Sequence, residues 1–160
     1  MTFHGRSFGA RFGAMGDEAE AVFEATYGQG FVRTGLNRPP ISMAALATRV
    51  RYTPDYLTSS GYVEVKGTGR DQILKLKVEN LNALHFWNQV MECRLWIWNT
   101  TRSVWGHCTI KELQKRIDDP AGGVTLDHFH DGKAYFAIPI DSVIDEWNAY
   151  HPDADLAVAA

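Results

Sequence analysis

Four stretches of the chain carry helix signals. The first spans 17–27, where apolar residues form one stripe, acidic residues crowd the first turn and glycines follow the end. The second spans 72–90, with apolar side chains at i, i+3 spacing. A Thr-x-x-Glu capping box opens a third helix over 109–117, and an aspartate caps a fourth over 141–147.

Alternating apolar and polar positions, separated by turn residues, predict the strands. In chain order they are 49–57, 61–66, 93–98, 103–108, 124–130 and 133–138. Trp96 and Trp98 face one side of the third strand, and its aliphatic residues face the other. An Asp-Gly pair at 131–132 predicts a hairpin between the last two strands. The order of elements predicts a mixed α/β fold, with a central sheet flanked by helices and a C-terminal hairpin and helix.

The chain has the size and composition of one globular domain over 1–160, with 45% hydrophobic and 22% charged residues. We predict a loosely docked arm at 1–13 and a frayed tail at 151–160. No stretch approaches the roughly 20 apolar residues of a membrane span, and the start of the chain does not resemble a signal peptide. Cys93 and Cys108 form no C-x-x-C pair, which argues against a disulfide scaffold, a structural zinc site or an iron–sulfur cluster. We therefore expect a reduced, cytoplasmic protein with no membrane partner.

Charge is distributed unevenly along the chain, although the formal net charge is only −3. Residues 117–160 carry one cation against nine acids, whereas residues 30–78 carry eight Lys/Arg and three acids. A basic segment inside an acidic protein predicts a groove for a polyanion, with ordinary solvated charge as the alternative.

One segment combines carboxylates and a lysine at a spacing that suits metal-assisted chemistry. Glu64 and Lys66 alternate with valines on the strand 61–66, so both project to one face while the valines enter the core. Asp55 ends the preceding strand, and a hairpin would bring its carboxylate beside Glu64. Two neighbouring carboxylates repel each other, and a divalent cation such as Mg²⁺ or Mn²⁺ relieves that repulsion. The ammonium of Lys66 would then hold, or help deprotonate, an attacking water.

The Pro-Asp pair at 54–55 and the Glu-Val-Lys run at 64–66 resemble the signature of the PD-(D/E)XK nuclease superfamily. The resemblance implies a restriction-endonuclease-like core over 16–98. That core consists of one helix, a three- or four-stranded mixed sheet and a second helix. The remaining predicted strands would extend the sheet over 99–150.

The same resemblance implies contributions from the two helices of the core. The first helix often supplies an acid in a G-x-x-x-E pattern, and Glu20 fits that pattern, with Glu18 and Glu24 as alternatives. The helix after the E-x-K strand often supplies a polar or basic residue to the phosphate. Gln72 and Lys75, one helical turn apart, are the candidates.

The function implied by the resemblance is that of a metal-dependent DNA endonuclease, which hydrolyses a phosphodiester by in-line attack of water. Asp55 and Glu64 would bind Mg²⁺, for which Mn²⁺ can substitute, and the Val65 carbonyl would be a further ligand. Lys66 would position or activate the water, and Glu20 would complete the outer metal shell or a second metal site. The expected DNA contacts are Arg49, Arg51, Arg70, Gln72, Lys75 and Lys77.

The run 63–84 is also similar to small nucleases of actinobacterial phages that are described as resembling Holliday-junction resolvases. This similarity implies branched or four-way DNA as substrate, the host cytoplasm as location and a homodimer that cuts two strands. The faces of Trp96 and Trp98 suit a dimer, because they need covering by a helix of the same chain or by a second subunit. The alternatives are an exonuclease, a nickase, a restriction-type endonuclease, a non-catalytic nucleic-acid binder and a virion assembly protein.

Overall fold

A six-stranded mixed sheet and a separate three-stranded sheet form the β-structure of the protein, whose computed structural model describes residues 8–36 and 42–152. The strands are, in chain order, β1 (Phe31–Arg33), β2 (Tyr56–Thr58), β3 (Gly61–Thr68), β4 (Ile73–Lys77), β5 (Cys93–Asn99), β6 (Val104–Thr109), β7 (Thr125–His128), β8 (Ala134–Pro139) and β9 (Asn148–Ala149). The α-helices are α1 (Phe8–Tyr27), α2 (Thr48–Arg51), α3 (Val78–Val90) and α4 (Ile110–Asp118). Parts of the predicted arm and tail, 1–7 and 153–160, lie outside the described residues.

The six-stranded sheet has the order β1-β2-β3-β5-β6-β9. Its central strands β3 and β5 run parallel, since α3 lies between them in the chain and carries it back across the sheet. In this pair Glu64 lies beside Leu95 and Lys66 beside Ile97. β2 and β3 form an antiparallel hairpin, with Tyr56 opposite Val63. The two strands that carry the predicted motif are therefore direct neighbours.

Each face of the six-stranded sheet is covered by other elements. α1 packs on one face, over a core that includes Phe23, Tyr56 and Trp96. The second core lies on the opposite face, between the sheet, α3, α4 and the three-stranded sheet β4-β8-β7. The fold is thus mixed α/β, with a central mixed sheet flanked by helices, as the sequence predicts.

The two tryptophans of β5 are buried by a helix of the same chain. Trp96 and Trp98 have exposed fractions of 1% and 3%. The Phe23 ring of α1 meets Trp96 edge-on, with 5.4 Å between ring centroids. The Trp98 indole donates a hydrogen bond of 2.8 Å to Glu18 on the same helix. A second subunit is not needed to cover these rings, so this argument for a dimer fails.

Two predicted elements are divided in the structure. The predicted strand 49–57 is wrong over its first part, which belongs to α2, and β2 begins only at Tyr56. The predicted helix 72–90 is wrong over its first part, where β4 precedes α3. In β4 the side chains of Leu74 and Leu76 are buried while the lysines between and after them are not, which is the period of a strand. β4 exists because it pairs with the distant β8.

The two ends of the described chain also differ from prediction. α1 begins at Phe8 rather than at 17, so part of the predicted arm is helical; isolated glycines cost about 1 kcal/mol each and do not stop a helix. The predicted helix over 141–147 is wrong. A 3-10 turn at Ile140–Ser142 is followed by β9, which pairs with β6. The Asp141 carboxylate accepts hydrogen bonds from Arg102 and Trp147, so it caps no helix.

Two local signals in the C-terminal half are confirmed. Thr109 and Glu112 form a reciprocal capping box at the start of α4. β7 and β8 form the predicted hairpin, and the turn glycine Gly132 has a φ of 82° that favours glycine. The hairpin belongs to the three-stranded sheet with β4, however, and not to the central sheet. Among the described helices, none has the length and apolar character needed to cross a bilayer.

Candidate active site

Asp55 lies at the point where the β2–β3 ladder ends. Extending the pairing of Tyr56 with Val63 by one residue brings Asp55 opposite Glu64. The Val65 N–H donates a hydrogen bond of 2.8 Å to Asp55 Oδ2, so the carboxylate takes the place of a strand carbonyl at the end of the ladder. The short turn between β2 and β3 thereby fixes the position of one carboxylate relative to the other.

Glu64 and Lys66 project from β3 toward α3, whereas Val63 and Val65 enter the core beneath α1. Glu64 has an exposed fraction of only 4%. Its Oε1 accepts a hydrogen bond from Lys66 Nζ at 2.5 Å and another from Asn80 Nδ2 at 3.0 Å. The structure therefore brings Asp55, Glu64 and Lys66 together in one cluster, which we call the carboxylate–lysine cluster.

Charge within the cluster is not balanced by the single lysine. Burial, and then the negative charge of Glu64, raise the pKa of Asp55 to about 7, against the opposing effects of Lys66 and the Val65 N–H. Burial alone lowers the pKa of Lys66, but the carboxylates of Glu64 and Asp55 outweigh burial and raise it above its ordinary value. At neutral pH the lysine is therefore an ammonium, while Asp55 is divided between its acid and its carboxylate.

The donor set of the cluster fits a hard divalent cation. In the part of the chain that the structure describes, Asp55 Oδ1 and Glu64 Oε2 accept no hydrogen bond. Asn80 Oδ1 is also buried without a hydrogen-bond partner there. Mg²⁺ is commonly held by one or two carboxylates and completes its shell with water. In 8–36 and 42–152, no group of three or more His, Cys or acidic side chains is arranged to hold a metal. The carboxylate–lysine cluster therefore offers a metal two carboxylates and no third ligand of this kind.

The three glutamates of α1 have different partners. Glu18 accepts hydrogen bonds from Trp98 and Thr100, and so holds α1 against β5. Glu24 accepts a hydrogen bond from Tyr56 and pairs with Arg33. Glu20 pairs only with the exposed Arg33, at 3.2 Å, within the described part.

The charge of Glu20 also acts on the cluster. Burial and the charge of Glu64 are the larger causes of the raised pKa of Asp55, and the negative charge of Glu20 raises it a little further. It likewise adds to the increase for Lys66, after the two carboxylates of the cluster. Of the alternatives considered on this helix, Glu20 has the surroundings that suit a role at the site.

The basic residues of α2 are engaged in local contacts. The Arg49 guanidinium lies over the Phe86 ring, 5.2 Å from its centroid. Arg51 donates hydrogen bonds to the carbonyls of Leu46 and Ala44, at 3.1 and 3.4 Å. Arg51 thus helps to hold the loop that leads into α2, whereas Arg70 is exposed beyond the end of β3.

The remaining candidate DNA contacts are not on a helix, and the prediction that Gln72 and Lys75 lie one helical turn apart is wrong. Gln72 has a φ of 56°, and its side-chain amide is bonded to the buried Asn99 and to the Gly69 carbonyl. Lys75 and Lys77 lie on β4, with each ammonium over an aromatic ring, at 5.6 and 5.9 Å from the centroid. None of these described contacts is with the carboxylate–lysine cluster.

Sequence reasoning missed Asn80, although Asn80 contacts Glu64 directly. Asn80 is the third residue of α3 and has an exposed fraction of 5%. The predicted helix began at 72, so the sequence did not show that Asn80 lies in the first turn. The helix begins at Val78 because the residues before it form the strand β4. An asparagine within a stretch of leucines on the buried helix face is the signal that was available. A groove between α3 and α4 lies away from the carboxylate–lysine cluster and is lined by His85, Asn88, Lys111, Gln114, Lys115, Asp118 and Asp119.

Comparison with known proteins gives similarity to solved structures but no match by sequence. No protein-family model matches the chain, and no curated protein matches it either. A solved structure of Hjc from Archaeoglobus fulgidus, a Holliday junction resolvase from an archaeal hyperthermophile, is similar with a TM-score of 0.40 and 14% sequence identity. The similarity covers 86% of this chain and 97% of that chain. At this identity and TM-score, the similarity does not assign the chain to a family.

Proposed function

We propose that the protein is a metal-dependent DNA endonuclease that hydrolyses phosphodiester bonds, with branched DNA as its preferred substrate. The observation that carries this proposal is the convergence of Asp55, Glu64 and Lys66 on adjacent strands, with more negative than positive charge. A structural ion pair needs one carboxylate per lysine. A second, partly buried carboxylate beside that pair costs stability unless a cation joins the site.

Asp55 and Glu64 would hold Mg²⁺ or Mn²⁺ through their free oxygens, with the Val65 carbonyl as a further ligand and Glu20 in the outer shell. When bound, the metal lowers the pKa of a coordinated water and neutralises charge on the phosphoryl oxygen. The hydrogen bonds from the Val65 N–H and from Asn80 orient the two carboxylates before the metal arrives.

Lys66 would act as a positively charged group that holds the attacking water and the scissile phosphate. Its raised pKa keeps it protonated at neutral pH, so it donates hydrogen bonds and does not take up a proton. Removal of the ammonium would leave two carboxylates facing the phosphate of the substrate. We therefore expect Lys66→Ala to reduce cleavage by about 100-fold or more.

Two properties of the proposed substrate complex rest on the sequence resemblance. Preference for branched or four-way DNA follows from the similarity of 63–84 to resolvase-like phage nucleases, and a homodimer would provide two sites for two cuts. The exposed Arg70 and the lysines of β4 would contact phosphates without distinguishing sequence.

The test is cleavage of labelled duplex, nicked, forked and four-way DNAs in Mg²⁺, with Asp55→Asn and Lys66→Ala as inactive variants. Asp145→Asn is the matched control, since its carboxylate is 90% exposed. We expect cleavage, greatest on branched DNA, that both cluster variants lose while they keep DNA binding in Ca²⁺. Binding without cleavage by the parent protein would indicate the non-catalytic alternative and would overturn the proposal.

A further inference from the structure

The corner that follows β1 contacts the main chain of Pro54 and Asp55 at three points. The N–H groups of Thr34 and Gly35 both donate to the Asp55 carbonyl, at 2.9 and 3.1 Å. The Thr34 hydroxyl donates to the Pro54 carbonyl at 2.8 Å. These bonds continue the β1–β2 pairing by one residue beyond Arg33, at the place where the chain arrives from α2.

Position 35 favours glycine because there is no room for a Cβ. Backbone conformation is not the reason, since Gly35 is not among the described glycines with a positive φ. A Cβ on Gly35 would lie 2.9 Å from Asp55 Cα and 3.2 Å from Asp55 Oδ1. The first distance is shorter than real Cβ contacts, and the atom it meets is backbone, which cannot swing aside. The second atom is the carboxylate oxygen that accepts no hydrogen bond in the described chain.

We infer that Thr34 and Gly35 are positioning residues for Asp55, an inference that rests on the proposed function. The Val65 N–H holds one carboxylate oxygen from the β3 side, and the Thr34–Gly35 corner holds the main chain from the β1 side. The missing side chain of Gly35 leaves the other oxygen open to a divalent cation. The corner does not touch the metal; it sets where Asp55 presents its free oxygen.

The experiment is titration of metal-free protein with Mn²⁺ by calorimetry, without DNA, together with the Mg²⁺ dependence of cleavage. Gly35→Ala should weaken Mn²⁺ binding by about tenfold or more, as is common when groups that orient a metal ligand are changed. Thr34→Val should weaken it by a smaller factor, and Thr34→Ser, which keeps the hydroxyl, should bind like the parent. Gly16→Ala is the control, because a Cβ at Gly16 meets nothing within 4 Å.

The possible results separate this inference from the proposed function. A parent protein that neither binds Mn²⁺ nor cleaves DNA overturns the proposed function itself. A parent that does both, with Gly35→Ala and Thr34→Val less stable in urea but unchanged in Mn²⁺ affinity, overturns only the positioning role. If Gly35→Ala does not fold, Thr34→Val decides, since it replaces the hydroxyl with a methyl group of similar size and removes one hydrogen bond.

Discussion

Replacing Asp55 with asparagine should make the metal-free protein more stable at alkaline pH, although it removes a proposed metal ligand. The pKa of Asp55 is raised to about 7 in the folded protein, so the folded state binds this proton more tightly than the unfolded chain does. The contribution of Asp55 to the free energy of unfolding is therefore complete below about pH 4 and is lost as the pH rises through about 7. Asparagine has no charge at either pH and avoids that loss.

The size of the effect follows from the change in pKa. The difference between about 7 and the ordinary 3.8 corresponds to at most ~4 kcal/mol, at ~1.36 kcal/mol per unit. Asp55 is partly exposed, and asparagine gives up both the attraction of Lys66 and the ionic character of the bond from the Val65 N–H. We therefore expect a net stabilisation of ~1–3 kcal/mol at about pH 8, which falls to none at about pH 4. For a chain of this size that is a rise in Tm of about 2–12 °C, at roughly 2–4 °C per kcal/mol.

The assay is urea denaturation in EDTA at both pH values, followed by tryptophan fluorescence, which the buried Trp96 and Trp98 make sensitive to unfolding. The Asp145→Asn control removes an exposed carboxylate and should shift the free energy of unfolding by less than about 0.5 kcal/mol. Equal or lower stability of Asp55→Asn at about pH 8 would refute the conclusion that burial and the charge of Glu64 disfavour the ionised form of Asp55 in the metal-free site.

Further predictions concern the same cluster and α1. Mg²⁺ should raise the Tm of the parent protein more at about pH 8 than at about pH 5, and it should not raise the Tm of Asp55→Asn. Thermal melts in which Mg²⁺ shifts the Tm of both proteins equally would contradict a metal site at Asp55. Asn80→Asp should lower the free energy of unfolding by ~1–3 kcal/mol in EDTA, because it puts a carboxylate against Glu64, and Mg²⁺ should restore part of it in urea titrations. Glu20→Gln should slow cleavage at a cost in stability of ~0–1 kcal/mol, whereas Glu18→Gln should cost ~1 kcal/mol and leave cleavage unchanged.

Much of the local structure around the cluster was predictable from the sequence. The alternation of Glu64 and Lys66 with valines places both on one strand face, because the period of a strand is a property of the backbone. The short turn after β2 brings Asp55 next to Glu64 for the same local reason. The capping box of α4 and the hairpin at Gly132 are likewise encoded within a few residues.

The wrong predictions share a different cause. β4 has the composition of a helix start, and it becomes a strand through pairing with β8 far along the chain. β9 is a strand only because β6 offers it an open edge. In both segments tertiary contacts override a weak local preference, and no local pattern reports the distant partner.

The chemical groups of the cluster, and the strand face that carries Glu64 and Lys66, follow from the order of residues alone. Which groups from other elements meet them depends on how the chain packs. Asn80 reaches Glu64 from α3, and Gly35 lies against Asp55 from the end of β1. α1 covers the tryptophans of β5 within the same chain. These contacts join residues far apart in the chain, and packing alone, not backbone period or turn chemistry, brings such residues together.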